Sequence, residues 1–345
     1  MKEKNKTLAI LEAVAAICVV LVHFPFSGIF GRILCATGTA GVILFLLASG
    51  YFSFEPGDNG QTCGRVMKRF WRNLRILLCV VALYFAVTAI EKLAQGSFGQ
   101  WIERFKSPVL WARMILLGDF EVIHGDPLWY MAAILYCYLL FAFFSKARAF
   151  RIAHAAIPFL LALRIGMETY TNSFGADWHL SGNAIAGALP IMLLGHWIAQ
   201  KRSERESEGG AKTAAATTTT FAAIALAVSL ALMYASATVR VAGLDLSQAF
   251  KISSATLAFL LALQKPGLCR PRFLVFVGSA LGVWIYLLHY IIGTVIKDAM
   301  LFYGAGDFAL NWILPPVVIA VSVLVATLLN IVTRRANRTD ATKTN

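Results

Sequence analysis

Acidic residues are scarce in this chain. It holds 18 Asp and Glu against 31 Lys and Arg in 345 residues, a formal net charge of +13, and charged residues of both signs make up only 14% of it. With 59% hydrophobic residues, it has too little polar surface for a soluble domain, which runs nearer half apolar and a quarter charged. Familiar catalytic loops are missing as well. No Gly-x-x-x-x-Gly-Lys phosphate loop, Gly-x-Ser-x-Gly elbow, His-Glu-x-x-His pair or Ser-His-Asp spacing occurs, which leaves P-loop hydrolysis, α/β-hydrolase chemistry and zincin proteolysis without support. The six cysteines, Cys18, Cys35, Cys63, Cys79, Cys137 and Cys269, form no Cys-x-x-Cys pair. Neither a disulfide framework nor a metal site is expected.

What is present is apolar length. Runs of about 17 to 25 apolar residues recur, each long enough to cross a bilayer as helix. They place spans at 8–25, 34–53, 76–92, 128–145, 152–167, 182–199, 216–236, 248–263, 273–293 and 309–332. The expected fold is all-α, a polytopic bundle of about ten transmembrane helices. Leu8–Phe24 meets Pro25 and Phe26 rather than a small-residue cleavage site, so it is expected to stay as the first span. With the N-terminus in the cytoplasm, segments 1–7, 54–75, 146–151, 200–213, 264–272 and 333–345 face inward and hold 22 of the 31 Lys and Arg. That bias is the positive-inside rule. It puts both termini in the cytoplasm and reads the positive charge as topology rather than a footprint for nucleic acid. The expected organisation is a cytoplasmic lead over 1–7, a transmembrane domain over 8–332 and a basic cytoplasmic tail over 333–345.

Two histidines stand out within the spans. His23 closes the first, and His289 ends Trp284-Ile285-Tyr286-Leu287-Leu288-His289 in the ninth. An ionisable side chain in a span is expensive and usually has a task. His23 lies about 15 residues, roughly 22 Å, from the inner end of its helix, and His289 about 16 residues, roughly 24 Å. Both therefore fall at a similar depth, on the side where Trp129 and Tyr130 open the fourth span. An aromatic belt at the interface would also place the last two there. Arg65, Lys68, Arg72 and Arg75 recur every three or four residues before the third span, along one helix face. The stretch fits a membrane anchor, and it equally fits a clamp for phosphate oxygens. Phe98–Leu117 mixes Trp101, Phe105 and Trp111 with Glu103, Arg104, Lys106 and Arg113, an expected interfacial helix that Pro108 breaks. Arg164, near the outer end of the fifth span, is expected to snorkel. Gly187, Ala188 and Gly195 suit close helix packing, and Lys201–Lys212, passing through Gly209-Gly210, is expected as a solvated cytoplasmic loop.

The order of these features resembles the acyltransferase 3 family of integral-membrane acyltransferases. The histidine of its first helix stands here at His23. Its second-helix motif stands as Gly41-Val42-Ile43-Leu44-Phe45-Leu46-Leu47-Ala48-Ser49-Gly50-Tyr51, and its Leu-Trp-Tyr signature as Leu128-Trp129-Tyr130. Asn183, Gly187, Leu189, Pro190 and Gly195 follow its sixth-helix pattern, and Tyr286-Leu287-Leu288-His289 its Tyr-Leu-Leu-His mark. The resemblance covers essentially the whole chain, as a stand-alone member without an appended esterase-like domain. It implies an O-acyltransferase of a bacterial-type inner membrane. The acyl group, expected to be acetyl, would pass from cytoplasmic acyl-coenzyme A to a hydroxyl of a cell-envelope glycan or lipid-linked sugar, with no permanently bound cofactor. It further implies that Arg72 and Arg75, with Arg69, meet the donor's nucleotide end, and that Trp129, Tyr130 and Asn183 lie at the acceptor. A hydroxyl attacks poorly until a base begins to take its proton, and imidazole suits that near neutrality. His23 is expected as this base, with His289, Ser49 and Tyr286 orienting it or binding the developing oxyanion.

Three positions depart from the family pattern. Glu12 stands where an arginine precedes the histidine by eleven residues, Gly182 replaces the arginine before Asn183, and Pro127 replaces a histidine, with His124 three residues earlier. Glu12 lies about 16 Å below His23, near the inner mouth, where a carboxylate would repel phosphates. Pairing with Arg72 or Arg75 is the favoured remedy; a protonated carboxyl or a different donor are the others. A rival reading is a transporter or inactive binding protein on the same helices, since intramembrane histidines also relay protons. No paired interrupted helices or inverted repeat supports it.

Overall fold

The computed structural model describes residues 5–57, 61–207, 215–238, 245–268 and 271–343. Cys269, the Gly209-Gly210 stretch, the end of the 55–60 turn and both chain ends lie outside the described residues. Every element among the described residues is helical: α1 (Lys6–His23), α2 (Gly28–Tyr51), α3 (Gln61–Ala94), α4 (Phe98–Glu103), α5 (Pro108–Ala112), α6 (Trp129–Lys146), α7 (Phe150–Ala155), α8 (Ile157–Phe174), α9 (Leu189–Ser207), α10 (Ala215–Thr238), α11 (Ser247–Gln264), α12 (Arg272–Phe276), α13 (Gly282–Phe302) and α14 (Leu314–Lys343). Wider π-helical turns occur at Arg113–Leu117, Ala184–Ala188, Val277–Leu281 and Ala309–Ile313.

Among the described residues, seven helical segments are long and apolar enough to cross a membrane: Lys6–His23, Gly28–Tyr51, Thr62–Ala94, Asp126–Lys146, Thr219–Ser236, Arg272–Phe302 and Ala309–Thr333. The residues expected for the other three spans also fold as helix, in α8, α9 and α11. Polar side chains dilute those three, among them Glu168 and Asn172 in α8, Lys201 to Glu206 in α9, and Gln248 and Lys251 in α11. The stretch from Phe98 breaks at Pro108, which opens α5 at a first-turn position where its missing N–H matters least. Trp101 is buried there, and its indole N–H donates to the carbonyl of Val122 at 2.8 Å.

The chain divides into two compact units. The first comprises residues 1–44, 219–238 and 250–345. In it, α1 and the helix running through α12 and α13 lie in parallel and in step. A Cβ on Gly278 would collide with the Ala9 carbonyl, and one on Gly293 with the Phe24 ring; both intervals are 15 residues. Glycine at these two positions lets the helices approach to backbone contact below and seats an aromatic ring above. The start of α1 is tied down by Asn5 Nδ2 donating to the Ala262 carbonyl at 2.8 Å and Thr7 Oγ1 to that of Lys265 at 2.5 Å.

The second unit comprises residues 45–218 and 239–249. Here the last turns of α2 meet α9 through reciprocal glycines: a Cβ on Gly50 would strike the Met192 carbonyl, and one on Gly195 the Leu47 carbonyl. Arg164 does not snorkel. It is 6% exposed, and its guanidinium donates to the carbonyl of Gly187. With the Gln248 amide turned so that its oxygen faces Arg164, that oxygen accepts from Nε and Nη2, each at 3.0 Å. The physical reason is the π-helical turn at Ala184–Ala188: the widened turn disturbs the regular ladder, and a buried guanidinium needs acceptors of this kind.

Candidate active site

The first unit brings His23, His289 and Tyr286 together. His289 is fully buried, and its Nδ1 lies 2.7 Å from the Tyr286 carbonyl and 3.1 Å from that of Ile285. Carbonyls only accept, so Nδ1 carries the proton and Nε2 is left as a lone pair. That Nε2 is buried with no hydrogen-bond partner among the described residues, a loss that native interiors rarely tolerate without a purpose. The His23 ring, half-buried at the end of α1, sits 5.2 Å from the His289 ring, tilted by 45°, and 5.0 Å from Tyr290, which meets it edge-on. The Tyr286 ring lies 6.1 Å from His289. One imidazole is thus reachable, and the second is deeply held in a fixed tautomer. Tyr290 escaped the sequence reading; its signal was adjacency to the Tyr-Leu-Leu-His run.

The remaining sequence-derived candidates belong to the second unit. Ser49 precedes the Gly50 contact, and its carbonyl accepts from Ser53 Oγ at 2.6 Å. Arg69 and Arg72 both lie near the Tyr138 phenol. Arg72 and Arg75 are exposed on α3, and Arg65 pairs with Glu55. Trp129 is half-buried, edge-on to Trp178 at 5.8 Å and to the buried Tyr130 at 6.3 Å. Asn183 caps the π-helical turn: Oδ1 accepts from the N–H groups of Ile185 and Ala186 at 3.0 Å, and Nδ2 donates to the carbonyls of His179 and Leu180 at 3.0 and 2.8 Å. Its whole donor and acceptor capacity is engaged. His124 adopts a left-handed backbone (φ 53°) and places Nε2 3.4 Å from Glu91. A side chain at Gly182 would strike the Trp178 ring, which itself stacks on His179 at 4.1 Å. That ring leaves no room for the family's arginine.

A charged cluster joining Arg113 and Asp119 to Asp177 and His179 was not foreseen. Arg113 donates to Asp119 at 2.7 Å and to Asp177 at 2.8 Å, while His179 lies 2.8 Å from Asp177 and 3.4 Å from Asp119. Burial opposes charge on Asp177, but the backbone N–H and imidazole of His179 and the Arg113 guanidinium outweigh it and hold the carboxyl at about 2. A depressed pKa contributes stability above the ordinary aspartate value, near 3.9, and loses it as pH falls toward 2. Thermal melting of the native protein should therefore drop more than that of Asp177→Asn between pH 4 and pH 2.5. Because Asp177 is over a third exposed, the difference should stay under about 1 kcal/mol. Equal acid losses would remove the cluster from the account.

A family model described as an acyltransferase domain, that of the acyltransferase 3 family, matches residues 5–331. No curated protein matches the chain, and no solved structure does.

Proposed function

The chain belongs to the acyltransferase 3 family, and from that membership we propose that it moves an acyl group, acetyl in the simplest case, from cytoplasmic acyl-coenzyme A to a hydroxyl of a cell-envelope glycan or lipid-linked sugar. The observation that carries the reading is the buried, unpartnered Nε2 of His289 beside the reachable His23. His23 takes the proton as the acceptor oxygen attacks the thioester carbonyl. A C–O bond forms, the C–S bond breaks, and the proton passes to the departing thiolate. The neighbouring His289 ring, 5.2 Å away, is the group proposed to favour positive charge developing on His23. Arg72 and Arg75, exposed on α3, supply phosphate donors for the nucleotide end. Their surplus of charge is what we expect to offset Glu12, so Glu12→Gln should leave coenzyme A affinity unchanged or tighter. Trp129 and Tyr130 are proposed at the acceptor, with Asn183 holding the adjoining turn.

Ten spans with both termini cytoplasmic, in an inner membrane, complete the proposal. What supports it is the concentration of 22 of 31 basic residues in alternate segments and the helical state of α8, α9 and α11. Mass spectrometry of cell-surface glycans from cells with and without the gene tests the activity. Loss of an acyl substituent with the gene is the expected result, and identical glycans together with no coenzyme A binding by the purified chain would overturn it.

A further inference from the structure

A cavity of about 650 Å³ opens in the second unit, walled by Phe54 and Glu55 after α2, by Ser145, Arg148 and Phe150 between α6 and α7, and by His196, Gln200 and Glu204 on α9. All three walls come from the basic segments 54–75, 146–151 and 200–213 or their immediate edges, on the side proposed as cytoplasmic. Its volume is that of an ordinary small-molecule site.

Three observations mark it as built for a ligand. His196 is 2% exposed, and its Nε2 has no hydrogen-bond partner among the described residues. The other ring nitrogen is occupied by Nε2 of His154 at 3.0 Å, and Phe150 stacks flat on the ring at 4.1 Å. Second, Arg148 stands in the left-handed region, φ 53°, at the end of α6. Its N–H bonds the Ser145 carbonyl at 3.2 Å, and the N–H of Ala149 bonds that of Phe144 at 2.8 Å. This is the helix-ending geometry that normally calls for glycine. An arginine held there is strained without local cause, and such strain concentrates where a side chain has a task. Third, both carboxylates of the wall are already neutralised, Glu55 by Arg65 and Glu204 by Lys201 at 2.7 Å. Among the described residues, the Arg148 guanidinium has no side-chain partner, so the cavity's uncompensated charge is positive.

Aromatic walls, the edge of a buried imidazole and a guanidinium with no side-chain partner among the described residues match an aromatic base that carries a phosphate. We propose that this cavity seats the adenosine end of the acyl donor, with the base against Phe54, Phe150 and the edge of His196, and a phosphate on Arg148. The assignment rests on acyl-coenzyme A being the donor and adds where its nucleotide is held. α3 is fastened to the same rim, since Arg65 donates to the Phe54 carbonyl at 3.2 Å, so Arg69, Arg72 and Arg75 lie on a helix continuous with the site.

Calorimetry on the full-length protein in nanodiscs, with coenzyme A, adenosine 3′,5′-bisphosphate and 4′-phosphopantetheine as probes, tests this. The native chain should bind coenzyme A and the bisphosphate in competition. Arg148→Gly should weaken both by about ten- to a hundredfold, the worth of a charge-assisted hydrogen bond. It should leave phosphopantetheine unaffected and the melting temperature unchanged or raised, because glycine relieves the left-handed strain. Coenzyme A binding that the bisphosphate cannot displace, or that Arg148→Gly does not weaken, overturns the assignment while leaving the donor reading intact. Bisphosphate binding that depends on Arg148 in a protein that transfers no acyl group from acyl-coenzyme A keeps the cavity and removes the donor reading. A native chain that binds neither compound overturns both.

Discussion

Replacing His23 by alanine is expected to lower acyl transfer by about 10²- to 10⁴-fold, the usual loss when a general base is removed, with normal expression and membrane insertion. His23 ends α1 half-buried, one residue before Phe24 fills the space over Gly293. Its side chain can therefore be cut back without disturbing that contact. His289→Ala should also abolish transfer, but for a mixed reason: the ring is fully buried and anchored to two backbone carbonyls, so truncation also leaves a void of the kind that destabilises cores. The discriminating measurement is turnover per folded molecule as a function of pH. His23→Ala should erase the fall in rate on the acid side that protonation of a general base produces. An alanine variant that keeps both the native rate and the native pH profile would remove His23 from the chemistry, and one that merely accumulates less protein would make its role structural.

The second large effect is expected at Gly50. Valine there would force a side chain onto the Met192 carbonyl, and overpacking of this kind costs typically 1–3 kcal/mol and more against backbone. Gly195→Val, which meets Leu47 and Tyr51 across the same contact, should fail alike. Gly64 is the control: it lies in α3 with nothing near the place of a Cβ, so Gly64→Ala should be neutral or stabilising, by up to about 1 kcal/mol. Yield and melting temperature in detergent read the difference. If Gly50→Val folds normally but transfers nothing, the Ser49-Gly50-Tyr51 run serves the reaction directly rather than holding α2 on α9.

Long apolar runs, the proline break at Pro108 and the two histidines were legible because each depends on local chemistry: apolar length, a missing N–H, an ionisable group in a span. The meeting of His23 with His289 was legible as a shared depth, since helix rise alone fixes distance along the axis. Arg164 was misread because its acceptors come from elsewhere, the Gly187 carbonyl and Gln248, and a π-helical turn leaves no clear mark in composition. The cluster of Arg113, Asp119, Asp177 and His179 joins residues up to 66 positions apart, which no periodicity announces. His196 was unremarked inside α9 because its isolation exists only once Phe150 and His154 have folded over it. Asn183 was placed by motif; its use of every donor and acceptor as a cap is visible only in three dimensions.

The pairing of α1 with α13 has a consequence for biogenesis. His23 leaves the ribosome well before the ring it packs against, since His289 follows 266 residues later. At about 5–20 residues per second, α1 waits roughly a quarter of a minute to a minute in the bilayer before α13 exists. For that interval Gly278 and Gly293 are not there to receive Ala9 and Phe24, and α1 is held by earlier contacts such as that of Gly38 in α2 with Cys18 and Val22. Closure of the site is then a late, long-range event with a high sequence separation, the class of contact that folds slowly. Nascent chains arrested before α13 should show the His23 end of α1 open to labelling, and chains arrested after α14 should show it protected.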